Sequence, residues 1–131
     1  KGALTFIQEQ LADNRYILPS DMHLVRLVHS AEDAAEEIAQ FYRNFHSSRW
    51  LKDTFVIRMN HPLKQTALTQ LGKDFADLCL RDGFSQQAYC ESESDEPELC
   101  HLTRLAFVFN GRDHGRLREL LDFINLEQHW A

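Results

Sequence analysis

The apolar positions of this chain change their spacing several times, and each change marks a new element. Leu4, Ile7 and Leu11 recur at helical spacing, so 3–13 reads as a helix. The stretch Tyr16-Ile-Leu-Pro-Ser-Asp21 breaks it, because Pro19 disfavours helix at Leu18 and Ser20 or Asp21 can cap a short turn. Leu24-Val-Arg-Leu-Val28 is short, apolar and β-branched, and reads as a strand. Ser30 is a fitting N-cap for the next helix, with Glu32, Asp33, Glu36 and Glu37 near its positive end. Ala34, Ile38, Phe41, Tyr42 and Phe45 form the apolar stripe of that helix, which is expected to reach about His46 and stop at Ser47-Ser48.

From Leu51 the period becomes two. Leu51, Phe55, Ile57 and Met59 lie on one side and Lys52, Thr54 and Arg58 on the other, which predicts a half-buried strand over 51–59. His61-Pro62 opens a helix with core positions Leu63, Ala67, Leu71, Phe75 and Leu78, and Gly83 is placed to end it in a left-handed conformation. Phe84 to Cys90 is polar enough for an edge strand. Glu91-Ser-Glu-Ser-Asp-Glu-Pro-Glu98 reads as an acidic loop too charged to bury. Leu102 to Phe109 is apolar on both faces and so predicts a central strand. Asp113 or Asn110 can cap the closing helix, whose core face is Leu117, Leu120, Leu121 and Ile124, and 128–131 reads as a tail.

From residue 50 onward the order is therefore strand, helix, strand, strand, helix. A right-handed crossover and an antiparallel hairpin give a small three-stranded sheet of order 1-3-2 with two helices on one face. This is an α+β unit, ferredoxin-like without its last strand, preceded by a helix-strand-helix segment. The open face of so small a sheet needs a cover, from the segment before residue 50 or from a second subunit.

The totals narrow the classes. The chain of 131 residues carries 14 Lys and Arg against 20 Asp and Glu, a net charge of −6, with 44% hydrophobic residues. That is one ordinary folded domain rather than a disordered segment, and it disfavours nucleic acid as a partner. No apolar run approaches a membrane span, and no basic-then-apolar leader opens the chain. The three cysteines, Cys79, Cys90 and Cys100, are too few and odd in number for a disulfide scaffold, which points to a reducing, cytoplasmic setting. The start at Lys1-Gly2, without Met, is expected of a piece of a longer protein or of one with a first residue removed.

Three groups of residues invite a chemical reading. Arg112, Arg116 and Arg118 stand near a helix start, where free amides already favour an anion. Arg118 is four residues from Asp122 and Arg116 three from Glu119, however, so surface ion pairing competes with ligand binding. Cys90 and Cys100 flank the acidic loop and, with His101 and an acid, could hold zinc, but their spacing matches no standard zinc motif and ordinary reduced thiols fit better. Arg43, Asn44, Arg49 and Trp50 gather cationic and aromatic groups at a helix end, where they could contact a nucleotide of a neighbouring domain or simply cap the helix. The seven histidines include His46, His61 and His129, and none has a partner fixed by local spacing. Glu36 and Glu37 are adjacent on a helix and point apart. There is no Gly-rich phosphate loop, and nothing in the sequence calls for a metal or a cofactor.

Ser20-Asp-Met-His-Leu-Val-Arg-Leu-Val-His-Ser-Ala-Glu-Asp-Ala-Ala-Glu-Glu-Ile-Ala-Gln-Phe-Tyr-Arg-Asn-Phe-His-Ser47 resembles the end of bacterial Lonely-guy family proteins, long labelled lysine decarboxylase-like. Members with a C-terminal extension continue with a piece similar to 49–131, including an arginine-bearing helix like Arg112–Asp122. The resemblance implies a Rossmann-like nucleotide-binding domain and a phosphoribohydrolase that releases the base from a nucleoside 5′-monophosphate. The family signature Pro-Gly-Gly-x-Gly-Thr-x-x-Glu is absent, so no catalytic residue carries over. On this resemblance 1–48 is the helix-strand-helix end of a Rossmann-like domain and 49–131 an accessory α+β domain. The chain is then expected to be a non-catalytic module for association or regulation, partnered by the missing N-terminal domain, with Leu24–Val28 pairing against the small sheet or across a homodimer. The alternative is a small-ligand or nucleotide-sensing domain that uses Arg112, Arg116 and Arg43. An independent hydrolase or zinc protein comes last.

Overall fold

A computed structural model describes residues 2–89 and 91–131. The protein is α+β, built on a four-stranded antiparallel sheet. Its strands are β1 (Phe45–Leu51), β2 (Thr54–Met59), β3 (Ser85–Gln87) and β4 (Thr103–Phe107), in the order β1-β2-β4-β3. The helices are α1 (Gly2–Phe6), continued by π-helical turns at Ile7–Ala12, α2 (Ala31–Phe41), α3 (Gln65–Asp74) and α4 (His114–Ile124).

The expected three-stranded sheet is corrected to four. The residues expected to end a helix at His46 instead begin β1, and α2 stops at Phe41. Likewise the single strand expected over 51–59 is the second arm of a hairpin, turned at Lys52-Asp53 with Lys52 in left-handed backbone (φ 57°). Leu51 therefore pairs with Thr54 and leaves the face that carries Phe55, Ile57 and Met59. The other three strands keep the order deduced from the apolar pattern, and β1 lies antiparallel against β2, where that arrangement lacked a strand. β1 runs across the expected domain boundary at 48/49.

The core lies on one side of the sheet. Phe55, Ile57 and Met59 of β2 and Leu105, Phe107 and Phe109 of the β4 segment meet Leu63, Ala67, Leu71, Phe75 and Leu78 around α3 and Leu120 and Ile124 of α4. Every apolar position assigned to the third helix is buried. α3 itself ends at Asp74, well before Gly83: a 3-10 turn at Ala76–Leu78 follows, and Cys79 then bridges to Phe109 as an extension of β4. Gly83 does take up left-handed backbone (φ 67°), but in the loop before β3.

Two buried amides fasten the ends. Asn125 Oδ1 accepts from the backbone N–H groups of Asn44 (2.8 Å) and Phe45 (2.9 Å), while Asn44 Nδ2 donates to the carbonyls of Ile124 and His61. These bonds explain why α2 cannot continue through Asn44: its amide is committed to α4 and the β2–α3 loop. The C-terminal residues are no loose tail. Trp130 bridges to Leu63, its indole donates to the Ile124 carbonyl, and its ring stacks on His61 at 4.4 Å.

The segment before β1 differs most from expectation. Leu24–Val28 forms no strand: Pro19–Leu24 is a 3-10 turn, Val25 after it is extended, and 25–28 has no strand partner among the described residues. Ser30 does cap α2, its hydroxyl accepting the Asp33 N–H at 3.0 Å. Two of the five positions of the expected stripe face outward, Ile38 61% and Tyr42 54% exposed.

Candidate functional site

The acidic loop covers the middle of the open face of the sheet. Arg58 of β2 and Arg104 of β4 are direct cross-strand partners on this face, with Ser47 and Gln87 flanking them on β1 and β3. Two guanidiniums so placed repel unless an anion lies between them. Glu93 supplies it from the loop. One of its oxygens accepts from Arg58 Nε (2.9 Å) and Nη2 (2.8 Å), and the other accepts from Arg104 Nε (2.8 Å). All three side chains are buried. Glu96 accepts from Arg58 and from Arg49 Nη1 (2.7 Å), and Asp95 also accepts from Arg49 (2.9 Å). Burial opposes the charge on Glu93, but hydrogen bonds from Arg104 and Arg58 outweigh it and hold the carboxyl below its usual value. The loop expected to be too charged to bury thus has a fully buried acid at its centre.

Arg104 contributes more than this pair. Its Nη1 donates to the carbonyls of Leu99 and Leu102, and its guanidinium lies over the Tyr89 ring at 5.2 Å. Its Nη2 is buried without a hydrogen-bond partner among the described residues. The arrangement is an ionic lock between sheet and loop, and its acids keep the arginines from serving as an anion site.

The arginines singled out in the sequence lie elsewhere and do not converge on one cavity. Arg116 pairs with Asp77 at 3.0 Å and with Glu119, and it stacks over Phe75 at 4.5 Å. Hydrogen bonding to Asp77 raises its pKa further above the ordinary value. Arg118 meets Asp122 (3.0 Å) and Glu37 (3.1 Å), which ties α4 to α2. Arg43 pairs with Glu127 at 2.7 Å beside Trp130. Arg112 stays 82% exposed, 4.0 Å from Asp113. At the start of α4 the Asn110 side chain accepts from the N–H groups of Arg112 (3.0 Å) and Asp113 (3.2 Å) and donates to the Asp113 carboxylate (2.6 Å), while Asp113, at the N-cap, makes no side-chain bond to the helix.

Cys90 lies outside the described residues, so the pairing considered for Cys90 and Cys100 does too. Cys100 is an exposed free thiol, and His101 Nδ1 sits 3.1 Å from the Glu98 carbonyl. Among the described residues no group of three or more His, Cys, Asp or Glu is placed to hold a metal ion. Nor is any of their helices long and apolar enough to cross a membrane.

The remaining feature of note is the surface of the first 42 residues. The turn at Pro19–Leu24 docks on α4, where Gly115 leaves room for the Ser20 carbonyl and His23 pairs with Glu119 at 2.9 Å. Beyond that contact the segment shows large apolar side chains to solvent: Phe6, Tyr16, Leu18, Leu24, Val25, Leu27, Ile38 and Tyr42. Val25 has extended backbone (φ −118°, ψ 132°). Compared with family models, with curated proteins and with solved structures, the chain finds no match in any of the three.

Proposed function

We propose that this chain is a non-catalytic accessory module that joins a neighbouring Rossmann-like domain through residues 2–42, and that the whole is a Lonely-guy-type nucleoside 5′-monophosphate phosphoribohydrolase. The observation that carries this reading is the unpaired stretch Val25–Val28, which begins with extended backbone at Val25. Val25, Leu27 and Val28 are apolar and exposed, Arg26 between them pairs with Glu37, and no strand among the described residues pairs with the stretch. A β-competent segment left open in this way suits addition to the edge of another sheet. The resemblance of 20–47 to the end of the Lonely-guy domain supplies the kind of sheet it would join. On the same reading β2-α3-β3-β4-α4 is a ferredoxin-like unit whose last strand has been exchanged for β1 at its front.

The module and its parent are tested together by incubating the pure chain with nucleoside 5′-monophosphates. No release of base is expected, and clear turnover overturns the accessory role. Hydrogen exchange then tests the interface. The amides of 25–28 should exchange freely in this chain and become protected when the preceding coding sequence is restored; equal exchange in both forms removes the proposed docking segment.

A further inference from the structure

The acidic loop does not cover the whole second face of the sheet. Between the loop and the tip of the β1–β2 hairpin lies an open cavity of about 530 Å³, a size that suits a small organic molecule. Leu51 and Val56 supply apolar wall, and Trp50 stands at the rim with its ring set against Phe55 at 5.1 Å. The polar lining consists of Lys52, Thr54, Gln87 and Ser92. Among the described residues no carboxylate lines it, although the chain has 20 acids and the concavity along α2 holds Asp33, Glu36 and Glu37. Asp53, the acid next to Lys52 in sequence, is taken by Arg81, whose hydrogen bond holds the Asp53 pKa below its ordinary value. The adjacent acids Asp95 and Glu96 are likewise taken by Arg49. The Lys52 ammonium has no ion pair with any of these acids, and the hairpin fixes its backbone.

We propose that this cavity is a binding site for a small organic anion with an apolar body, its carboxylate or phosphate head on Lys52 and the amide of Gln87. A free amino acid fits poorly, because its ammonium would find no acid there. The site is separate from the Arg58–Glu93–Arg104 lock and from the surface of residues 2–42, so its failure would leave the accessory-module reading intact.

The experiment is a titration of the isotope-labelled chain with phenyl phosphate, benzoate, benzyl alcohol and benzylamine, followed by amide and indole NMR shifts. At least one of the two anions should give saturable shifts at Trp50, Lys52 and Gln87 at concentrations up to about 10 mM, and the neutral and cationic probes should give none. Phenyl phosphate alone would identify a phosphate head and benzoate alone a carboxylate. Lys52→Asn keeps a residue that tolerates left-handed backbone and removes the charge, so it should fold normally and bind at least tenfold more weakly. Saturation by no anion, equal saturation by benzylamine, or unchanged affinity in Lys52→Asn would each overturn the proposal.

Discussion

Arg58 and Arg104 sit directly opposite each other in the middle of the sheet, and one buried carboxylate, Glu93, bonds to both. The two strands contribute the cations and the loop contributes the anion, so the ladder and the loop depend on each other. Removing Glu93 alone leaves two buried guanidiniums facing one another. Glu93→Ala should therefore destabilise the fold by about 3–5 kcal/mol, the usual cost of stranding a buried charge. Replacing Arg58, Glu93 and Arg104 together with apolar residues of similar volume should cost far less, or even stabilise by about 1–4 kcal/mol. Urea unfolding of both variants checks the contrast, and equal losses would show that the charges themselves are not what matters.

The same lock predicts a pH dependence. The Glu93 carboxyl is held below its ordinary value of 4.5, so it contributes stability that is fully present above that value and is lost as pH falls through the lower, folded pKa. Glu96 and Asp95, lowered chiefly by hydrogen bonds from Arg58 and Arg49 respectively, act in the same direction. Stability should thus fall with pH below about 4.5, with the amides of 91–99 losing protection first. Glu93→Gln should flatten part of that slope, which is read by comparing unfolding free energies at several acid pH values.

How much of this was legible beforehand depends on what each side chain faces. The α3 stripe and the β4 segment were readable because both bury ordinary apolar side chains at regular spacing. β1 was not, because its inward positions on the second face are Ser47 and Arg49, which meet a polar network rather than a hydrophobic core. Arg58 looked like a solvent position for the same reason, and Glu93 looked like one acid among many in a charged loop. A weak signal was present: Arg58 and Arg104 each interrupt an apolar strand, and interior arginines need a counter-charge. Nothing in a single sequence says which acid supplies it. Leu24–Val28 departs from its composition in the opposite direction. Its composition favours a strand, but a strand requires a neighbour, and none is present among the described residues.

Gly115 is required by contact rather than by conformation. A Cβ built there would lie 1.9 Å from the backbone carbonyl oxygen of Ser20, which a side-chain rearrangement cannot relieve. Helix propensity alone would favour alanine by about 1 kcal/mol. The clash should win, and Gly115→Ala should lose about 1–3 kcal/mol as the turn at 19–24 is pushed off α4. A thermal melt with hydrogen exchange across 19–24 reads both parts, and a more stable variant with unchanged exchange would refute the docking.

Cys79 and Cys100 should differ sharply as nucleophiles. Burial, with a smaller contribution from Asp77, pushes the Cys79 thiol up to about 11. At pH 8 its thiolate fraction is then on the order of one in a thousand, and the side chain is also partly covered. Cys100 is exposed, so an alkylating reagent should reach it freely. Mass-spectrometric mapping after brief alkylation should therefore find Cys100 modified and Cys79 intact. Raising the pH should bring Cys79 up late, and mild urea should expose it together with the core that Phe109 and α3 share. Rapid labelling of Cys79 in native buffer would mean that the Cys79–Phe109 bridge, which extends the sheet beyond β4, opens readily.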